Sequence, residues 1–140
     1  MYSLFFTLVI LYLLSRFLYK SKIYNCDLDD TGIFCWSELI ENGTKKYEGR
    51  LNQGKWLEMK SGDFIIFNCI GGSNEKRLLC KIIYFEYFDN FGEAFEYLGN
   101  SLIPAKNVEQ ALDAYSTYFD RKNVEKFGVV CIKIKLVEVM

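Results

Sequence analysis

Three charged residues of complementary chemistry lie close together in one short segment. Lys45, Glu48 and Arg50 occur in Gly43–Leu51, which reads GTKKYEGRL. A lysine and an arginine beside one glutamate make a cationic site that also offers a hydrogen-bond acceptor. An arginine fork fits a phosphate or the edge of a nucleobase, and a carboxylate accepts from an exocyclic amine. The pattern therefore indicates a site for a nucleotide or for single-stranded RNA.

The segment reads as a β-strand, and the strand decides which of these side chains meet. Because side chains alternate along a strand, Glu48 and Arg50 share one face. Lys45 and Tyr47 take the other face, unless the strand begins only after Lys45, in which case the lysine can turn to join them. Tyr47 and Trp56 are candidates for stacking on a base. The simpler interpretation is that Glu48 and Arg50 pair with neighbours at the surface.

The motifs in this region and beyond, in this order, resemble the ASCH domain, a small β-barrel of the PUA-like superfamily. The resemblance covers roughly Ile23–Leu136. The matching residues, in chain order, are Gly43, Lys45, Glu48 and Arg50, then Lys60, Gly62, Asp63, Ile65 and Phe67, then Gly128, Val129, Val130 and Ile132. The resemblance implies a mostly antiparallel barrel with two or three packed helices, over residues 23–138. It also implies a cleft with the three charged residues at its edge, and RNA or a nucleotide as the partner.

Hydrophobic periodicity by itself predicts an α+β, β-rich domain. A stripe of Ala111, Leu112, Tyr115 and Phe119 is expected to face the core from a helix that Asn107 caps. The predicted strands are Ile23–Asp27, Lys45–Leu51, Phe64–Ile70, Lys76–Phe88 and Gly128–Val139, and the predicted helices are Phe34–Asn42, Phe91–Leu98 and Val108–Phe119.

The composition limits the classes of function. Apolar residues make up 51% of the 140 residues, which is enough for the core of one domain. The net charge of −1 is not the basic balance of a general nucleic-acid binder, so any such site must be local. The lack of histidine excludes Ser-His-Asp and Cys-His catalysis and most zinc sites. Neither a metal nor a cofactor is predicted.

The five cysteines form no C-x-x-C pair, and this favours reduced thiols in a cytosolic setting. Cys69 and Cys80 flank a predicted hairpin loop over Gly71–Asn74, where they could face each other. The simpler interpretation is that they are free thiols buried in strands.

The first 20 residues are strongly apolar. Met1–Tyr19 reads MYSLFFTLVILYLLSRFLY, with Arg16 as its first charge. The basic start and the small-residue cleavage site of a secretory signal are both missing, so we predict a single-pass membrane anchor over residues 1–20. Arg16, Lys20 and Lys22 follow the apolar run and would place the C-terminal domain on the cytosolic side. A cleaved signal, or a helix docked on the barrel or on a partner, is the alternative.

The second hypothesis for the charged segment Gly43–Leu51 is that it is catalytic. Some ASCH proteins resemble this chain and are amidohydrolases that act on N4-acetylcytidine through a lysine, a threonine and a glutamate. Lys45 matches the lysine, but Glu48 stands where the threonine belongs. The glutamate has no clear counterpart around Gly99–Leu102, where Glu96 and Glu109 are the nearest acids. We therefore expect a binding module rather than an enzyme, with this amidohydrolase or another RNA-processing hydrolase as the alternative.

The third hypothesis is that the domain is a non-enzymatic adaptor that binds a protein partner. The run Tyr84–Phe88 and the following Phe91, Phe95 and Tyr97 are dense in aromatic residues. Such density is usually core, and in some proteins it forms an interface for a protein partner.

Overall fold

A computed structural model describes residues 2–72 and 75–140. In these residues the chain forms an α+β domain with one five-stranded sheet and several helices. The strands are β1 (Ile23–Asp29), β2 (Tyr47–Leu51), β3 (Phe64–Ile70), β4 (Arg77–Phe88) and β5 (Val129–Val139). The helices are α1 (Tyr2–Leu18), α2 (Trp36–Glu41), α3 (Phe91–Leu98), α4 (Val108–Ser116) and α5 (Arg121–Phe127), with short 3-10 turns at Gly54–Leu57 and Gly99–Ser101.

The sheet is mixed and curled rather than closed. Its order is β1-β3-β4-β5-β2, in which β1 and β3 run parallel and the other neighbours are antiparallel. Irregular pairing at Leu79/Cys80 and at Ile82/Tyr84 interrupts the β4–β5 ladder, and such bulges increase the twist and bend of a strand. The mostly antiparallel pairing agrees with the prediction, but the predicted barrel is a half-barrel, because β1 and β2 remain the two edges.

The core follows the alternation of the central strands. Along β3 and the first half of β4 every second residue is buried, including Ile65, Phe67 and Leu78. These side chains join one cluster with residues of the helices, such as Ala94 and Ala111. Cys69 and Cys80 are free thiols buried in strands, as the simpler interpretation predicted. They do not face each other, because Cys80 lies opposite Ile65 in the β3–β4 ladder. Ser73 and Asn74 of the predicted hairpin loop lie outside the described residues.

The helices α3, α4 and α5 begin at asparagine or aspartate caps, whereas α2 has no side-chain cap. Asn107 accepts from the backbone N–H of Gln110 at 2.9 Å, as the sequence predicted for α4. The helix ends at Ser116 rather than Phe119. A further helix that the sequence did not indicate, α5, follows directly and is capped by Asp120.

The predicted membrane anchor is not supported. The helix α1 has 17 residues, so it is about 25 Å long, against about 30 Å for the hydrocarbon core of a bilayer. In the part of the chain that the structure describes, no helix is long and apolar enough to cross a membrane. The alternative of a helix docked on the barrel is not seen either, since Leu4, Phe5 and Leu11 on α1 are all exposed.

A buried carboxylate fastens the turn before β3 to the segment after α1. Asp63 is fully buried, and its Oδ1 accepts from the Tyr19 hydroxyl at 2.6 Å and from the Lys22 backbone N–H at 3.0 Å. Its Oδ2 accepts from the Lys60 backbone N–H at 2.8 Å, across a turn in which Gly62 has a φ of +93°. Burial alone would raise the pKa of Asp63, but these hydrogen bonds outweigh it and hold the pKa below its usual value.

Candidate functional site

A cavity of about 230 Å³ opens between β2, the end of β1, and the helices α2 and α4. Its volume is below the range of about 300–1,000 Å³ that is typical of pockets for drug-sized ligands. The residues that line it are Asp27, Leu28, Asp29, Trp36, Lys45, Glu48, Gly49, Arg50, Tyr115, Tyr118 and Phe119.

The start of β2 brings Lys45 to the same cavity as Glu48 and Arg50. The strand begins at Tyr47, and the two residues before it are held by other partners. The backbone N–H of Lys45 donates to the Leu39 carbonyl at 2.9 Å, and that of Lys46 donates to the Ser101 carbonyl at 2.7 Å. Lys45 is therefore outside the alternation of the strand, and all three charged side chains line one cavity.

Lys45 is a buried cation that is only partly satisfied by the protein. Its side chain is 3% exposed, and its Nζ donates to the Leu102 carbonyl at 2.7 Å. The same nitrogen lies 4.9 Å from the centroid of the Trp36 ring, at a distance typical of a cation–π contact. Burial lowers the pKa of Lys45, and the charge of Glu48 opposes that shift. An ammonium has three N–H donors, so it can still donate to a ligand.

Glu48 is buried with only one of its oxygens bonded. It is 6% exposed, and its Oε1 accepts from Arg50 Nε at 3.2 Å. Its Oε2 is buried and has no hydrogen-bond partner among the described residues. A buried acceptor without a partner costs about 1–3 kcal/mol, and more when it is charged, so such atoms are rare in folded proteins. The free oxygen therefore points to a donor that the protein itself does not supply.

Arg50 lies at the mouth of the cavity and is held in place from two sides. Its Nη2 donates to the Asp27 carbonyl at 3.0 Å. Its guanidinium carbon lies 5.0 Å from the centroid of the Trp56 ring. Trp56, predicted as a base-stacking residue, thus stacks on the arginine and does not line the cavity.

Tyr47 is separated from the other predicted site residues. It is buried on the opposite face of β2, where its hydroxyl bonds to that of Tyr84 and Lys133 Nζ lies 4.9 Å from its ring centroid. It does not line the cavity, so the structure does not bring it together with Lys45, Glu48 and Arg50.

Tyr115 is the residue that the sequence placed in the core and the structure places at the site. Its ring stacks on Phe91 with centroids 4.1 Å apart, and its hydroxyl is buried with no hydrogen-bond partner in residues 2–72 and 75–140. Burial, and then the charge of Glu48, raises the pKa of Tyr115 well above its usual value. A Cβ on Gly49 would lie 3.3 Å from this hydroxyl, so the glycine allows the close approach of β2 to α4. The only signal in the sequence was a hydroxyl within an apolar stripe.

The site carries more acid than the sequence predicted. Asp27 and Asp29, at the end of β1, line the cavity together with Glu48. They offset the charges of Lys45 and Arg50, so the lining is not cationic overall. Such a site favours a ligand rich in N–H donors over a bare phosphate.

A larger groove lies on the other side of α4. It has a volume of about 1,200 Å³, and it shares Tyr115 and Phe119 with the cavity. Acids such as Glu93 and bases such as Lys126 both line it, so it offers no continuous cationic track. Among the described residues there is also no cluster of cysteine and acidic side chains that could hold a metal ion.

One family model and several solved structures are similar to this chain. The model of the ASCH domain matches residues 35–138. The crystal structure of a hypothetical protein, PH0355, is similar with a TM-score of 0.70 at 32% identity, over 82% of this chain and 99% of that chain. The solution NMR structure of a protein from Pyrococcus furiosus has a TM-score of 0.62 at 28% identity, over 83% and 98% of the two chains.

An ASCH domain from Lactobacillus crispatus shares the fold, with a TM-score of 0.55 at 12% identity over 82% of this chain and 79% of that chain. None of the curated proteins matches the sequence significantly.

Proposed function

The chain belongs to the ASCH domain family, and from this premise we propose that its cavity binds a nucleobase of single-stranded RNA or of a free nucleotide. The observation that carries the proposal is that Lys45 and Glu48 are both buried at the cavity, while Oε2 of the glutamate has no hydrogen-bond partner among the described residues. Buried carboxylate oxygens in folded proteins nearly always have a hydrogen-bond partner, so this one indicates a partner from outside the chain. A ligand with an N–H donor would satisfy it.

The size of the cavity supports a single base. At about 230 Å³ it is small for a whole nucleotide, so the sugar and phosphate would remain outside. Trp36 and Phe119 in the lining offer aromatic surface for stacking, which stabilises a bound base by about 1–3 kcal/mol. Arg50, which is partly exposed at the mouth, is placed to meet the phosphate or the sugar.

The balance of charge supports base recognition rather than backbone recognition. With a net charge of −1 for the chain and acids in the cavity, we expect few phosphate contacts. Affinity for RNA should therefore fall only slightly as salt is added, with a slope of about −0.7 in log–log terms for each phosphate contacted.

A titration of the full chain tests the proposal. Trp36 lies in the wall of the cavity, so its fluorescence is a suitable probe for nucleosides and for short single-stranded RNA. Lys45→Met keeps the length of the side chain and removes its charge, and we expect the affinity to fall at least about tenfold. Lys46→Met is the matched control, because Lys46 is the adjacent lysine and is exposed. The proposal fails if the wild type binds none of these ligands, or if Lys45→Met binds as well as Lys46→Met.

An amidohydrolase acting on N4-acetylcytidine is the second candidate, and the lowered pKa of Lys45 favours it. A neutral lysine can take a proton from the water that attacks the acetyl carbonyl. The C–N bond then breaks, and the proton goes to the departing cytidine amine while acetate is released. Incubation of the full chain with N4-acetylcytidine tests this, and no release of cytidine at high protein concentration rejects it.

A further inference from the structure

Two buried side-chain atoms in the described part of the chain have no hydrogen-bond partner, and both belong to the same cavity. They are Oε2 of Glu48 and the hydroxyl oxygen of Tyr115. They come from segments far apart in the sequence, one on β2 and one on α4. Their meeting in one small cavity indicates a common ligand rather than two separate defects of packing.

The two groups have complementary chemistry but do not bond to each other. An ionised carboxylate only accepts, whereas a phenol hydroxyl can donate. If they were in direct contact, each would satisfy the other. They are nevertheless near each other, since both residues line the same cavity of about 230 Å³ and the charge of Glu48 contributes to the raised pKa of Tyr115. The gap between them is suited to a group that gives a donor to one and an acceptor to the other.

The ring of Tyr115 is fixed by its neighbours. It stacks on Phe91 at 4.1 Å with an angle of 11° between the ring planes, and on Trp36 at 6.3 Å with an angle of 23°. Because the ring packs against two other aromatic rings, its hydroxyl is held in position at the cavity. A polar group that is held rigid before binding loses little entropy when the ligand arrives.

We propose that Tyr115 is a specificity-determining residue whose hydroxyl donates to a ring nitrogen of the bound base, while Glu48 Oε2 accepts from the amino group beside that nitrogen. The inference rests on the proposed function and names the class of ligand for the same site. The class is an amino-substituted base, of the adenine or cytosine kind, either as a nucleoside or within an unpaired strand.

Bases with only carbonyl groups beside their N–H fit less well. In uracil a carbonyl lies on each side of the imide N–H, so one carbonyl oxygen would face the Glu48 carboxylate. Two acceptors in contact repel each other, and the repulsion is strong where water is excluded. Asp27 and Asp29 in the lining add to the preference for a donor-rich edge.

Binding of four nucleosides to the full chain and to two variants tests the inference. The nucleosides are adenosine, cytidine, uridine and N4,N4-dimethylcytidine, which has lost the amino N–H. Short single-stranded RNA of each base forms a second arm, which separates free nucleosides from RNA as the source. Tyr115→Phe removes the hydroxyl and keeps the stacked ring, and Tyr97→Phe is the matched control because Tyr97 is 72% exposed and outside the cavity.

We expect the wild type and Tyr97→Phe to bind adenosine or cytidine at least about tenfold more tightly than uridine and dimethylcytidine. Tyr115→Phe should lose about tenfold for the amino bases and little for uridine. Its midpoint of thermal unfolding should be unchanged or higher, because the hydroxyl that it lacks is unbonded in the free protein. A residue with only a structural role would lower that midpoint instead.

The outcomes separate this inference from the proposed function. If the wild type binds no nucleoside and no RNA, the proposed function and the inference both fail. If the wild type binds bases but Tyr115→Phe binds them equally well, or if uridine binds as tightly as cytidine and adenosine, only the inference is overturned.

Discussion

Two buried carboxylates, Asp63 and Glu48, lie in the same small domain and are bonded very differently. Asp63 accepts three hydrogen bonds, from Tyr19, Lys22 and Lys60. Glu48 accepts one, from Arg50, and leaves Oε2 without a partner. The difference teaches that burial of an acid does not by itself indicate a functional site. The saturated carboxylate stabilises the fold, and the half-satisfied one is available to a ligand.

The largest effect is expected where the carboxylate is saturated. In Asp63→Asn the amide nitrogen would face the donors that Asp63 now satisfies, so we expect a loss of about 2–4 kcal/mol in the free energy of unfolding. Urea unfolding measures it. Asp113→Asn, at an exposed position on α4, is the control and should change stability by less than about 0.5 kcal/mol. Equal midpoints of urea unfolding for Asp63→Asn and Asp113→Asn would contradict the claim that Asp63 stabilises the fold.

The opposite behaviour is expected of Glu48→Gln. The free energy of unfolding should fall by less than in Asp63→Asn, because Glu48 accepts one hydrogen bond where Asp63 accepts three, and the glutamine of the variant can keep the bond from Arg50. Binding of a base should fall at least about tenfold, since a neutral amide is a weaker acceptor than a carboxylate. Urea unfolding and a nucleoside titration on the same sample give both numbers. A large loss of stability with binding intact would contradict this assignment of roles.

Protonation of Asp63 at low pH should destabilise the folded protein. Its folded pKa is lowered, so its contribution to stability is complete above the unfolded value of about 3.9 and is lost as the pH falls through the lower folded value. Between about pH 4 and pH 2 the wild type should therefore lose more stability than Asp63→Asn. Unfolding midpoints of both proteins across this range check it, and parallel curves would show that Asp63 is not the group responsible.

The smallest effect concerns the outer part of the site. Trp56 supports the Arg50 guanidinium by a cation–π contact, which is worth about 0.5–1 kcal/mol at a partly exposed position. We expect Trp56→Leu to weaken binding of a nucleotide two- to fivefold, within the ~1 kcal/mol of that contact, and to leave binding of a free base unchanged. A comparison of cytidine with cytidine monophosphate measures this, and equal losses for both would mean that Trp56 acts on the cavity itself.

Much of the fold follows from local patterns. The apolar runs of β3 and β4 and the stripe of α3 were predicted within a residue of their bounds, because alternation and helical spacing are local properties. The helix α5 reads RKNVEKF and has too few apolar residues to show a stripe, so it was missed. The half-barrel could not be predicted, because it depends on which distant strands pair.

The site was predictable only where local patterns determine it, and not where contacts from distant segments do. Glu48 and Arg50 were placed together by the strand alternation. Lys45 joins them only because Ser101 and Leu39 hold the backbone before the strand, and these contacts come from elsewhere in the chain. Tyr115 was assigned to the core, and it does pack there, but no local pattern reports that its hydroxyl is left unbonded. The predicted membrane anchor is not supported, because no helix in the described part of the chain is both long and apolar enough to cross a membrane.

The central claim is that Oε2 of Glu48 accepts a hydrogen bond from a bound ligand. A crystal structure of the full chain with cytidine monophosphate or adenosine monophosphate tests this claim most directly. The account predicts the base inside the cavity, with an amino nitrogen about 3 Å from Glu48 Oε2. A nucleotide bound elsewhere on the domain, with Oε2 bonded only to an ordered water both with and without ligand, would contradict it.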